Sequence, residues 1–218
     1  FLMMPFFLIA LLISYLFVLS IDGYNIVFQL SVGIAALFWA FVGLAYLFKL
    51  LRTYKLSNPN ALLLTLAAFF GTNLFAYTIL MPAFSHIYSF ALISILLFYT
   101  KLYFEKLKFK YLIVSSILLG LVFLTRHVNI LIILFLPFLA CDYKTLKKGF
   151  SIIFRSYRFI YPIIGFFVVL LPYLLIIYWQ TGSLQLNTYT NEGFYWTNPQ
   201  SFNFLFSFRK GWFIYTPL

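Results

Sequence analysis

The stretch LGLVFLTRHVNILIILFLPFLA, residues 119–140, decides how this chain folds. Arg126 and His127 stand side by side within it, and both flanks are almost wholly apolar. The longer apolar run, residues 111–141, exceeds the ~20 residues with which one helix crosses the hydrocarbon core of a bilayer. The basic pair therefore predicts a tight turn between two membrane-embedded helices. Because each helix is short, we expect local tilt of the helices or thinning of the bilayer.

The composition is typical of a membrane protein. Hydrophobic residues make up 64% of the chain and charged residues 9%, while aromatic residues reach 23% and include 30 Phe. A soluble core cannot hide so many aromatic side chains, whereas lipid can. Backbone polar groups in lipid must pair within their own segment, which favours helices, and the alternating pattern of barrel strands is absent. We predict an all-α polytopic membrane protein with a single transmembrane domain over residues 1–218.

Seven apolar runs support this prediction, and most approach the length of a span. Residues 61–99 are too long for one helix, and residues 71–73 together with Pro82 provide the breaks. The seven runs are residues 1–19, 26–48, 61–77, 83–99, 111–124, 128–141 and 159–180.

The basic residues are concentrated in alternate loops. The formal net charge is +11, and 12 of the 15 Lys and Arg residues follow Phe48, Tyr99 or Cys141. Short loops rich in Lys and Arg stay on the cytoplasmic side of a membrane. This rule accounts for the charge without nucleic acid, so we expect no nucleic-acid partner. The intervening loops, including a long one at residues 181–211, are predicted to face outward.

Several chemistries lack the residues that they need. Cys141 is the only cysteine, which excludes an internal disulfide and a multi-cysteine metal site. The sequence has no Gly-rich phosphate loop, no metal-binding pattern of His and Cys, and no serine-nucleophile elbow. An enzyme acting on a soluble nucleotide is therefore disfavoured, and we predict no cofactor; a divalent metal stays open but is not indicated.

The ionisable residues predicted to face outward are few. Outward loops ordinarily avoid Lys and Arg, so the three outward cations are candidates for binding an anion. Arg carries a planar fork of donors suited to phosphate, although a snorkelling or interfacial role is the alternative. The outward set is Asp22, His86, Arg126, His127, Glu192, Arg209 and Lys210.

The other outward residues each allow two interpretations. His86 and Tyr88 lie at the outward start of a predicted helix, PAFSHIYSFAL. His86 either contacts a sugar or phosphate, or relays a proton, or bonds a nearby backbone group. Asp22 belongs to an Asp-Gly turn, and the Tyr, Trp and Asn residues around Glu192 suit either sugar binding or a membrane interface. A carboxylate general base within this sequence would be Asp22 or Glu192.

Three stretches together resemble one family. SHIYSFAL (residues 85–92), GLVFLTRHVNILIIL (120–134) and FSFRKGWFIYTPL (206–218) look like motifs of bacterial GT-C fold membrane glycosyltransferases. These enzymes include relatives of the protein O-mannosyltransferases and the aminoarabinose lipid A transferases. PFFLIALL, DGYN and FGTNLFAYT fit the same group, so the resemblance covers nearly the whole chain. His127 departs from it, because relatives are expected to carry proline or a similar residue there.

The resemblance implies a GT-C-like bundle of about seven transmembrane or membrane-embedded helices in the bacterial inner membrane, with its site facing outward. We expect this chain to be an internal piece, incomplete at both ends, in which residues 1–19 are either a span or a helix lying in an outer loop. Such enzymes transfer a sugar, with inversion, from a polyprenyl-phosphate donor to a lipid, glycan or protein acceptor.

The resemblance also assigns roles to residues. The general base of the family is an aspartate in the first outer loop, which would precede Phe1, so the catalytic residue is expected outside this sequence. Arg126, Arg209 and Lys210 would bind the phosphate. The sugar or acceptor would be held by His86, Tyr88, Asp22 and Glu192.

Two other functions stay open at this point. A transporter or flippase of lipid-linked saccharides would also need an outward site, but transporters place polar groups near the midplane in broken helices. A membrane subunit without catalysis would leave the outward cations unexplained.

Overall fold

A computed structural model describes residues 1–184, 199–208 and 212–215. Over these residues the regular structure is entirely helical. The α-helices are α1 (Met4–Leu16), α2 (Ile26–Thr53), α3 (Asn58–Phe70), α4 (Leu74–Ile79), α5 (Ser85–Lys106), α6 (Phe109–Thr125), α7 (Tyr143–Phe154), α8 (Ile160–Thr181), α9 (Ser201–Phe206) and α10 (Trp212–Tyr215). The 3-10 helices are His127–Leu134, Leu136–Ala140 and Arg155–Tyr157.

Among the described residues, three helices are long and apolar enough to cross a membrane: α2, α5 and α8. They correspond to the predicted runs 26–48, 83–99 and 159–180, each extended or shifted by a few residues. The all-helical prediction is therefore confirmed for the described residues. The predicted run 111–124 forms α6, a 17-residue α-helix, and the other three runs differ from single spanning helices.

The first run is shorter than a span. Helix α1 has 13 residues, which corresponds to about 20 Å at 1.5 Å per residue. It runs antiparallel to the first half of α2, because Asn25 Nδ2 donates to Ser14 Oγ over 3.0 Å at one end and Trp39 Nε1 donates to the Leu2 carbonyl over 3.1 Å at the other. Residues 1–3 are thereby held against the middle of α2.

The third run is broken where the sequence predicts. Helix α3 ends at Phe70 and α4 begins at Leu74, so residues 71–73 separate the two helices. Thr72 satisfies local backbone groups there, since its hydroxyl donates to the Ala68 carbonyl and accepts from the Leu74 amide. A second break follows α4 at residues 80–84, which include Pro82.

The run at 128–141 is not an α-helix. Arg126 is extended, with φ −155°, and the chain then forms 3-10 helices of 8 and 5 residues, which we call the 3-10 segment (residues 127–140). At about 2.0 Å per residue this segment reaches about 28 Å, compared with about 21 Å for an α-helix of equal length. The 3-10 geometry therefore makes this run longer than an α-helix of the same number of residues.

Close packing of small residues joins α2 to α5 in parallel. Ala35, Ala36 and Ala40 form a buried cluster with Ile87 and Tyr88. Further along, a Cβ added to Gly43 would lie 2.7 Å from the Phe90 ring and 2.9 Å from the Ala91 Cα. Small side chains let membrane helices approach closely, and dispersion contacts then hold them together.

A second parallel pair, α6 and α8, uses the same principle. A Cβ on Gly120 would meet the Phe166 carbonyl oxygen at 2.9 Å, and one on Gly165 would meet Ser116 Oγ at 2.5 Å. A larger residue at Gly120 would push against the backbone of α8, and one at Gly165 would displace the Ser116 side chain.

These helix directions bring the twelve basic residues to one end of the bundle, the cationic end (Lys49, Arg52, Lys55, Lys101, Lys106, Lys108, Lys110, Lys144, Lys147, Lys148, Arg155 and Arg158). Ring contacts join Tyr46 to Tyr99 at 6.1 Å and Phe109 to Tyr161 at 5.8 Å near this end. The predicted clustering of these loops on one side is therefore present in the fold.

Lys101 is more than an orientation signal. Lys101 is only 6% exposed. Its Nζ donates to the Leu139 carbonyl and to Cys141 Sγ, each over 3.2 Å. The ammonium also lies 3.6 Å from Glu105 and 4.6 Å from the centre of the Tyr54 ring. Lys101 thus fastens the end of the 3-10 segment to α5.

Candidate functional site

The start of α5 and the end of α6 meet, opposite the cationic end of the bundle, through two side chains that the sequence singles out. His86 is the second residue of α5, and Arg126 directly follows α6. Arg126 Nη1 lies 3.0 Å from His86 Nδ1. Because a guanidinium has donors only, Nδ1 is the acceptor and Nε2 carries the ring proton. The histidine is therefore a neutral imidazole that orients the arginine.

A second polar contact ties the 3-10 segment to α5 just below this pair. Asn129 Nδ2 donates to Ser89 Oγ over 3.0 Å, and the Asn129 amide donates to the Arg126 carbonyl. These bonds fix the backbone on which Arg126 is carried. Sequence analysis did not propose Asn129, although its place three residues after Arg126 is the spacing of one 3-10 turn.

Aromatic rings support the imidazole. The Tyr77 ring of α4 stacks on the His86 ring with centroids 4.1 Å apart and planes 24° apart, and Phe84 lies 6.4 Å away. The break at residues 71–73 redirects the chain before α4, which brings Tyr77 beside the end of α5. Sequence analysis missed Tyr77, because its proximity depends on how the broken helix packs.

An apolar cavity of about 200 Å³ lies at the same ends of α5 and α6, although its wall includes neither Arg126 nor His86. Ser85 and Thr125, the immediate chain neighbours of His86 and Arg126, lie in its wall. The remaining wall is mainly apolar and comes from the residues before α1, the turn before α5, and helices α5 and α6: Phe1, Leu2, Met3, Ala83, Tyr88, Leu92, Leu121 and Leu124. An anionic group at Arg126 would thus have an apolar space beside it.

Tyr88 lines that cavity, and its polar atom is already engaged. The hydroxyl donates to the Pro82 carbonyl over 3.1 Å, and the residue is 4% exposed. This bond secures the turn between α4 and α5. Tyr88 contributes shape to the cavity wall and holds the turn that precedes His86.

Asp22 and His127 are engaged elsewhere. The Asp22 carboxylate accepts from the Tyr24 amide over 2.8 Å within the exposed turn before α2, and this hydrogen bond lowers the pKa of Asp22 below its ordinary value. The His127 ring packs against Phe123 at 4.8 Å and is exposed. Asp22 is therefore part of the turn that the sequence predicts, and His127 packs on the end of α6.

Three predicted site residues, Glu192, Arg209 and Lys210, lie outside the described residues, as does most of the predicted outward loop 181–211. Within the described part of the chain, no three His, Cys, Asp or Glu side chains come together as a metal site would need. Comparison of the chain with protein-family models, with curated proteins and with solved structures finds no match.

Proposed function

We propose that this chain is part of a membrane glycosyltransferase of the GT-C type, which transfers a sugar from a polyprenyl-phosphate donor to an acceptor outside the membrane. The observation that carries the proposal is the pairing of Arg126 with His86 at the end of the bundle opposite the cationic end. In the proposal, the three candidate spans of the described residues form a bundle of about seven transmembrane or membrane-embedded helices together with α1, the α3–α4 pair, α6 and the 3-10 segment.

The proposed orientation follows from the charges. Twelve of the 15 basic residues gather at the cationic end, and the positive-inside rule places such an end in the cytoplasm. The Arg126–His86 end then faces outward in the bacterial inner membrane. An arginine at that face is suited to hold the phosphate of a lipid carrier whose chain stays in the bilayer.

The chemistry assigned to Arg126 is charge stabilisation. In transfer with inversion, an acceptor oxygen bonds to the anomeric carbon while the bond from that carbon to the phosphate oxygen breaks. The electron pair leaves with the phosphate, and a donor fixed at that oxygen lowers the barrier. In the proposal the acceptor proton goes to an aspartate in a segment preceding Phe1, and Arg209 and Lys210 assist Arg126 at the phosphate.

The apolar cavity beside Arg126 suits the carrier. The cavity has a volume of about 200 Å³. It can hold the first part of the hydrocarbon chain of the carrier while the phosphate of the carrier binds the Arg126 guanidinium. His86 orients Arg126, since its Nδ1 accepts from the guanidinium, and its Nε2–H can donate to the phosphate or sugar.

Binding of polyprenyl phosphate to the full-length protein tests this role. Replacing Arg126 with Ala removes a charge-assisted hydrogen bond, so the dissociation constant should rise about 10- to 100-fold, and Arg126→Lys should lie between. Arg52→Ala at the cationic end is the matched control and should bind as wild type does. Equal affinity of wild type and Arg126→Ala would remove Arg126 from the site.

One observation favours the transporter alternative: the interruption of α3–α4 at residues 71–73, since broken helices mark transport sites. The groups at the break, however, are satisfied locally by Thr72. An assay for glycosylated product with detergent-solubilised protein distinguishes the two functions. An enzyme still forms glycosylated product without a sealed membrane, whereas a flippase yields no new covalent product.

A further inference from the structure

A second cavity lies in the cationic half of the bundle and has no part in the proposed transfer. It encloses about 250 Å³ between α5, α6, the 3-10 segment, α7 and the start of α8. Its main apolar walls are Leu112, Leu119, Leu136, Phe150, Ile153 and Pro162.

The hydroxyl groups in the wall are already bonded within the protein. Thr100 Oγ1 donates to Ser115 Oγ over 3.1 Å, and Tyr103 Oη donates to the Gly149 carbonyl over 2.7 Å. Ser116 Oγ donates to the Ile113 carbonyl over 2.8 Å. A water needs two to four polar partners, and apolar cavities of about 150 Å³ stay dry and take up hydrocarbon instead. The chemistry of this wall therefore selects an apolar occupant.

Three cations are close in the chain to residues of the cavity wall. Ile153 and Pro162 are both in the wall, and the chain between them carries Arg155 and Arg158, which are exposed. Lys147 is also exposed and lies one helical turn before Phe150. Among the residues that the structure describes, the ion pair is Lys101–Glu105, so these three cations have no carboxylate partner there.

We infer that this cavity binds one acyl chain of an anionic phospholipid, whose phosphate meets Arg155, Arg158 and Lys147. The apolar wall accounts for the chain and the unpaired cations account for the headgroup charge. The occupant is a phospholipid rather than the polyprenyl phosphate of the proposed reaction, because that ligand is assigned to Arg126 at the opposite end. This choice between the two lipids rests on the proposed function, whereas the apolar wall and the unpaired cations do not.

Thermal unfolding of the full-length protein in mild detergent tests the inference, with phosphatidylglycerol, phosphatidylcholine and polyprenyl phosphate added in separate titrations. Phosphatidylglycerol should raise the unfolding temperature of the wild type by several degrees, and phosphatidylcholine should raise it less. Leu136→Trp fills the cavity and should abolish the phosphatidylglycerol shift. Leu131 is an exposed residue of the 3-10 segment and lies two residues before Ile133 of the wall. The variant Leu131→Trp should therefore retain the phosphatidylglycerol shift.

The headgroup is tested by surface variants that leave the packing intact. Arg155→Gln with Arg158→Gln should raise the phosphatidylglycerol concentration needed for half of the shift about tenfold or more. The matched pair Lys49→Gln with Lys55→Gln should not, because α2 forms none of the cavity wall. Equal shifts with both phospholipids, a larger shift with polyprenyl phosphate that depends on Arg155 and Arg158, or an unchanged response in the double variant would each overturn the inference, even if Leu136→Trp failed to fold.

Discussion

Arg126 and His86 are held by complementary hydrogen-bonding capacities. The guanidinium can only donate and the imidazole Nδ1 accepts at 3.0 Å, while Tyr77 stacks on the ring from the other side. His86 therefore has two separable structural roles: it accepts the hydrogen bond from Arg126, and its ring packs against Tyr77. Both residues are exposed enough to meet a ligand, yet their geometry is set by α4, α5 and α6 together.

Replacing His86 separates those two roles. His86→Phe keeps the ring against Tyr77 but removes the acceptor, so the affinity for polyprenyl phosphate should fall about tenfold. His86→Asn keeps an acceptor near the Nδ1 position and should lose less. Titration of the two purified variants side by side makes the comparison, and tighter binding by His86→Phe than by His86→Asn would show that stacking, not the hydrogen bond, orients Arg126.

At the scale of elements, the bundle depends on small residues where parallel helices meet and on a tight helix where the chain is short. Gly43, Gly120 and Gly165 allow backbones to touch. The 3-10 segment converts an apolar run of marginal length into one that reaches about 28 Å. Lys101 then anchors its far end through the Leu139 carbonyl.

A pair of glycine substitutions tests the packing of α6 on α8. Gly120→Ala places a methyl group 2.9 Å from the Phe166 carbonyl oxygen, and the overpacking should cost about 1–3 kcal/mol of unfolding free energy. Gly33→Ala is the control, because a Cβ at Gly33 meets nothing within 4 Å; it should be neutral or stabilising by roughly 0.5–1 kcal/mol. Thermal or denaturant unfolding in the same detergent measures both, and equal stability of the two variants would mean that α6 and α8 are not packed through Gly120.

At the scale of the whole molecule, long apolar runs were enough to locate α2, α5 and α8, because length and hydropathy alone define a span. Helix α7 was missed and read as part of a basic loop. Its apolar residues Leu146 and Ile153 pack on the core near Tyr103 and Phe104, but its three lysines keep it from standing out as an apolar run.

The site was predicted in part for a related reason. Arg126 and His86 could be selected from the sequence, since basic groups at an outward end break the positive-inside bias. Their direct contact could not, because it depends on the register between α5 and α6. Asn129, Ser89 and Tyr77 complete the surroundings through contacts across 40 or more residues or between separate helices, and no local pattern reports such contacts.

The orientation of the bundle is the central claim on which the outward site rests. It is tested most directly by labelling intact cells with a membrane-impermeant thiol reagent, using single-cysteine variants of the full-length protein in which Cys141 is replaced by Ser. His127→Cys marks the Arg126 end, and Lys147→Cys marks the cationic end; both positions are exposed. The account predicts that His127→Cys is labelled in intact cells and Lys147→Cys only after permeabilisation. Labelling of Lys147→Cys in intact cells, with His127→Cys protected until permeabilisation, would contradict it.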